Sequence, residues 1–76
     1  MMPQMNNDDD LVNLFTYHPP FGAQTSRYAL LRGGALEFAR LILANCPPSA
    51  ERTLALRDVQ RAVMMANASI AVNEKE

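Results

Sequence analysis

The sequence has one cysteine, one histidine, no tryptophan and three glycines in 76 residues. A single thiol, Cys46, excludes an intramolecular disulfide framework and a cysteine-based zinc site. It fits a reducing cytosolic compartment, with Cys46 as a buried structural thiol. A single His18, with no second histidine, cysteine or carboxylate pair at ligand spacing beside it, suits bracing of a turn better than metal binding or acid–base chemistry. So few glycines leave no phosphate-cradling loop, and no Ser/His/Asp set is present. The expectation is a protein that binds, with no catalysis, no cofactor and no metal. A run of about 18 apolar residues, the least that spans a bilayer, is also missing. The first ten residues are polar and acidic, unlike a signal peptide, so no membrane partner is expected.

Charge of one sign is scarce as well: the formal net charge is −1. Its distribution is uneven, with Asp8, Asp9 and Asp10 near one end and Glu74 and Glu76 at the other. Between Leu11 and Asn73, six arginines face only Glu37, Glu51 and Asp58, a local balance of +3. That suits a small anionic ligand better than a DNA or RNA polymer, which calls for a broad basic surface. At this length only about 60% of the unfolded chain's surface is buried on folding, which makes a lone monomer marginal and self-association an expectation.

What is there is helical rhythm. Residues 1–7 are expected to be a disordered leader, and 8–76 a single helical hairpin domain. Asp8 to Asp10 offer an N-cap and acidic first turn to a short helix with Leu11, Leu14 and Phe15 at helical spacing. Pro19 and Pro20 end it, and His18 to Gln24, with Gly22, makes a defined extended turn. Thr25 or Ser26 is expected to cap a second helix, from about Arg27 to Asn45, with Tyr28, Leu31, Ala35, Phe38 and Ile42 at alternating spacings of three and four. Cys46, Pro47 and Pro48 stop it. Ser49 caps a third helix in which Leu56, Val59, Val63, Ala66 and Ile70 repeat the rhythm. The short loop implies an antiparallel hairpin. No strand-like alternation occurs, so the fold class is all-α: a short N-terminal helix, then a two-helix hairpin, assembled as a compact homo-oligomer. Assembly follows from second apolar stripes that a hairpin cannot bury by itself: Leu30 and Leu41 on one helix, Leu54, Met65, Ala68 and Val72 on the other.

Candidate binding residues cluster early in the chain. Phe15, Tyr17, Phe21 and Tyr28 surround His18 and the Pro-Pro stop, leaving only Phe38 for the rest. Either these rings close a core, or Tyr17 offers its face to a base, worth about 1–3 kcal/mol per stacked base. Arg32 falls on the Tyr28 side of the apolar arc, where it either snorkels to water or presents its fork to a phosphate. Gln24, Arg27 and Tyr28 form a polar cluster at a helix start, where the dipole favours anions; plain caps look the same. Arg57, Asp58 and Arg61 read as a solvated, salt-bridged face, and Met64 and Met65 as core or interface.

The ordered set Phe-Thr-Tyr-His-Pro-Pro (15–20), Gln24, Arg27-Tyr28, Leu31-Arg32, Ala44-Asn45-Cys46-Pro47 and Ala62-Val63-Met64-Met65-Ala66-Asn67-Ala68-Ser69-Ile70-Ala71 closely resembles the phage anti-CBASS cyclic-nucleotide sponge family. Its helical hairpin is also found in some Thoeris anti-defence proteins. The resemblance runs colinearly from Leu11 to Asn73. It implies a compact hexamer, acting in the cytoplasm of an infected bacterial host, that holds cyclic oligonucleotide signals without cleaving them. The family is described as having one pocket class between paired subunits, for cyclic dinucleotides such as cyclic GMP-AMP. A second class, where three subunits meet, takes cyclic trinucleotides such as cyclic tri-adenylate.

By that resemblance Tyr17 matches the base-stacking tyrosine and Arg32 the phosphate-contacting basic position, with His18, Pro20, Gln24, Arg27 and Tyr28 completing the dinucleotide site. Gly34 and Asn73 fall at the trinucleotide pocket. The sequence departs from the family's pattern there, having Val72 or Asn73 where an arginine is expected. A rival reading from another class is a structural or adaptor hairpin whose stripes engage a partner helix. A DNA-reading helix-turn-helix is poorly supported, since the arginines of the last helix have acidic and apolar neighbours.

Overall fold

A computed structural model describes residues 7–74, which lie in helices, in the segments joining them or, for Asn7 and Glu74, at the outer caps. Three helices follow in order: α1 (Asp8–Phe15), α2 (Gln24–Asn45) and α3 (Ala50–Asn73). The leader expected over 1–7 falls almost wholly outside the described residues. Asn7, its last position, is the N-cap of α1, and its Oδ1 accepts from the Asp10 amide at 2.9 Å. The cap expected among Asp8 to Asp10 is therefore one residue earlier, and those three acids fill the first turn, where the helix dipole favours them.

α2 and α3 pack along one another as the hairpin. The stop between them works as its residues dictate. Cys46 leaves the helix in an extended conformation, its amide still donating to the Ile42 carbonyl at 3.0 Å. Pro47 and Pro48 cannot continue the ladder. Ser49 then starts α3, its Oγ accepting from the Arg52 amide at 3.1 Å, while the Arg52 guanidinium reaches back to the Cys46 carbonyl at 3.2 Å. Cys46 is exposed, so its expected role as a buried thiol is overturned: the residue sits on the loop side of the helix end.

Two further expectations are corrected. α2 begins at Gln24 after N-cap Ala23, which makes no side-chain cap, so neither Thr25 nor Ser26 caps it. The start is organised by Gln24 itself. Its amide donates to the Phe21 carbonyl at 3.1 Å, and its Oε1 accepts the Phe21 amide at 3.1 Å. This two-way bond to Phe21 replaces the hydroxyl cap. Val72, assigned from its helical angle to an outer stripe, is 7% exposed, the one buried apolar residue among those described. The last turns of α3 lie where α1 returns, for Asn13 Nδ2 donates to the Val72 carbonyl at 3.1 Å.

Among the described residues only Val72 and Gln24 are buried. The seam expected between the long helices is half-buried at Ala35, Ile42, Leu56, Val59, Val63, Ala66 and Ile70, and exposed at Leu31 and Phe38. Leu30, Leu41, Leu54 and Met65 are exposed, as expected of stripes a hairpin cannot cover, and so is Met64, which is not core of this chain.

Candidate functional site

The segment between α1 and α2 holds most of the candidate residues. α1 ends at Phe15 because Thr16 turns extended; its hydroxyl donates to the Val12 carbonyl and its amide to that of Asn13. His18 then folds back, its Nε2 lying 2.7 Å from the same Asn13 carbonyl. A carbonyl only accepts, so the ring carries its proton on Nε2. His18 thus braces the turn. Pro19 and Pro20 follow, and Gly22 takes φ +56°, a left-handed conformation that glycine adopts without steric cost. The outcome for the aromatic cluster is clear: Phe15 and Tyr17 are 83% and 80% exposed, while Phe21 and Tyr28 are half-buried. Tyr17 is therefore not a core residue of its own chain.

The polar cluster at the start of α2 is engaged from within. Glu74, immediately past the end of α3, receives both prongs of the Arg27 guanidinium, NH1 to Oε2 at 2.8 Å and NH2 to Oε1 at 2.5 Å. Gln24 Nε2 donates to Glu74 Oε1 at 3.0 Å. The Arg27 hydrogen bonds, followed by that from Gln24, hold the Glu74 carboxyl at about 2, well below the usual carboxylate range. The same bond raises the Arg27 guanidinium above its ordinary value. The anion that the positive end of α2 was expected to attract is, within one chain, the protein's own carboxylate.

Arg32 stands apart. It is exposed and makes no hydrogen bond or ion pair with any other described residue. The Arg57–Asp58–Arg61 face is exposed as expected, but no salt bridge joins these residues. Asp58 instead edges an open apolar groove of about 680 Å³ along the hairpin, lined by Leu30, Leu31, Ala35, Phe38 and Val63 among others. Gly34 lies in this groove and in a smaller one with Ser26, Ala29 and Gly33. Asn73, at the far end of α3, is exposed and bonds back to the Ser69 carbonyl at 2.9 Å. Tyr17 to Tyr28 thus belong to one end of the hairpin, Arg32 lies two turns into α2, and Gly34 lies further along.

The sequence matches the family described as Acb2/Tad1, hairpin domain, over residues 7–71. The chain belongs to the Acb2/Tad1 hairpin-domain family. The match takes in α1, α2 and α3 as far as residue 71, and every candidate position except Asn73. Membership supports, in general terms, a role as a cyclic-nucleotide sponge in the contest between phage and bacterial defence. Neither a curated protein nor a solved structure gives a match.

Two features of this Acb2/Tad1 hairpin were not anticipated. Glu74 read as a terminal charge, yet it is the partner of Gln24 and Arg27. The near-equal helix lengths, 22 residues in α2 and 24 in α3, let a tight loop return the end of α3 to the start of α2, a match that shows only once both helices are placed. Asn67, quoted only as part of a motif, has a buried Oδ1 with no hydrogen-bond donor among the described residues. Only its place on the half-buried seam, beside Val63 and Ala66, distinguishes it in sequence.

Proposed function

We propose that this protein captures cyclic dinucleotides made by bacterial CBASS cyclases, in the cytoplasm of an infected host, and withholds them from their effectors without cleaving them. The observation that carries the reading is the pairing of the family match with an 80% exposed Tyr17. A ring excluded from the core of its own chain, on a linker braced by His18, is free to stack on a base supplied from outside. Arg32 has an uncommitted guanidinium fork, the geometry that meets a phosphate in two parallel bonds. Two copies related by a two-fold axis bring two tyrosines and two arginines to one ligand with two bases and two phosphates. In this reading the ligand lies between subunits of a hexamer, and Pro20, Gln24, Arg27 and Tyr28 shape the site. A trinucleotide such as cyclic tri-adenylate is a second ligand, met near Gly34 and Asn73.

Calorimetry with cyclic GMP-AMP tests the assignment: Tyr17→Ala and Arg32→Ala are each expected to abolish binding. Unchanged affinity in both variants defeats it. Ligand recovered after heating the complex is expected intact; linear product means an enzyme.

The open apolar groove favours one other reading, an adaptor that seats a partner helix. Ligand linkage separates the two, because a sponge must melt at higher temperature when cyclic dinucleotide is added. An adaptor has no such response.

A further inference from the structure

The linker that presents Tyr17 is fastened at both ends, and both fastenings lead to the C-terminal end of α3, at Val72 and at its cap Glu74. On the α1 side, His18 Nε2 bonds to the Asn13 carbonyl at 2.7 Å, and Asn13 Nδ2 donates to the Val72 carbonyl at 3.1 Å. On the α2 side, the Phe21 amide donates to Gln24 Oε1 at 3.1 Å, and Gln24 Nε2 donates to Glu74 Oε1 at 3.0 Å. An amide side chain has one accepting end and one donating end. An ionised carboxylate only accepts, so it draws Nε2 toward itself and leaves Oε1 facing Phe21. Gln24 is 2% exposed, and water is not at hand to satisfy either end in another orientation. The Arg27 fork fixes the carboxylate through two bonds.

We infer that Glu74 is a positioning residue: gripped by Arg27, it sets the orientation of the Gln24 amide, which holds the Tyr17–Phe21 linker so that the Tyr17 ring stands outward. The consequence for ligand rests on the cyclic-dinucleotide reading; the clamp itself does not. It also gives Gln24 and Arg27 a task other than touching ligand, since their polar ends are taken by Glu74. A general structural role makes a different forecast. The pair's side chains are 43% and 38% exposed, and ion pairs so open to water add little to global stability. Loss of Glu74 should therefore loosen the linker while leaving the hairpin folded.

Amide hydrogen exchange on the full-length protein, followed residue by residue by NMR, tests this alongside calorimetry with cyclic GMP-AMP. In Glu74→Ala the Phe21 amide is expected to exchange about tenfold faster, the worth of one hydrogen bond, while amides in the middle of α3 keep their protection. Glu74→Gln retains an acceptor but loses the charge, and an acceleration of about threefold is expected. Should the alanine variant not fold, the glutamine variant decides alone. Unchanged Phe21 exchange in the folded variants overturns the clamp, and so does loss of protection spread evenly over α3. Where exchange rises as expected, cyclic GMP-AMP affinity should fall about tenfold in Glu74→Ala; unchanged affinity overturns the link to ligand. A wild-type protein that binds no cyclic dinucleotide defeats the proposed function instead, and the Phe21 amide still rules on the clamp.

Discussion

Glu74 is ionised far into acid because Arg27 and Gln24 hydrogen-bond its charged form, which gives stability a pH dependence of definite sign. Its carboxyl titrates at about 2 in the folded chain, below its ordinary value of 4.5. Folding therefore favours the charged form. The contribution is complete above the unfolded value and is lost as pH falls from about 4.5 toward about 2. Arg27 is raised by the same bond and stays protonated throughout that range, so the titration of Glu74 alone undoes the pair. In pH-dependent thermal melts, wild type should exceed Glu74→Gln by a small, constant margin at neutral pH, and the margin should close between those two values. A margin undiminished at the acid end would mean that the carboxylate's charge is not what Arg27 holds. Legibility at this scale divides by sequence separation. His18 as a turn brace was readable, because its partner Asn13 is five residues away. Glu74 was not, because its partners are 47 and 50 residues away and no local pattern reports a side chain's preference for a distant one. The exposure of Cys46 was missed for a related reason: composition gives a residue type's usual burial, and only the loop decides which way this one faces.

At the scale of elements the sequence was far more explicit, since helices are written in periodicity and in their stops. The three-and-four spacing placed both long helices, Pro47 and Pro48 placed the loop between them, and Ser49 capped α3 as read. The start of α2 was misread by three residues. Cap preferences concern a side chain that accepts from helix amides, whereas Gln24 reaches back out of the helix to Phe21. Gly22 makes that approach possible. No atom lies within 4 Å of where its Cβ would be, so Gly22→Ala meets no clash and its cost comes from the positive φ alone. That cost is about 1 kcal/mol, as for any L-residue held in the left-handed region. Gly33 also has open space around it but lies inside α2, where alanine is the better helix former by about 1 kcal/mol. Chemical denaturation should accordingly show Gly22→Ala destabilised and helical content in Gly33→Ala preserved or raised. A neutral Gly22→Ala would mean that the linker relaxes to another conformation.

The whole molecule is a hairpin in search of cover. Its extents are 45 × 28 × 18 Å and its radius of gyration is 15.4 Å, against about 11 Å for a compact chain of this length. With Leu30 75% exposed, Leu41 59%, Leu54 61% and Phe38 56%, large apolar side chains on both long helices are left in water. This feature was legible in sequence, as two apolar stripes on helices that have one partner each; what was not legible is that even the seam between them would stay half open. We propose that copies of the same chain cover both, which would make stability depend on concentration, because subunits that fold together melt at a temperature that rises with protomer concentration. Leu30→Glu separates this from a self-sufficient monomer. In a monomer, exchanging a side chain three-quarters exposed for a charged one leaves stability within about 0.5 kcal/mol. In an assembly it places an unpaired carboxylate in an apolar interface, so the variant should sediment as a smaller species and melt lower, with the concentration dependence reduced. A wild-type chain that sediments as a monomer at micromolar concentration, and melts at the same temperature when diluted, would leave Tyr17 and Arg32 with no second copy to share a ligand, and the two-fold grip would have to be abandoned.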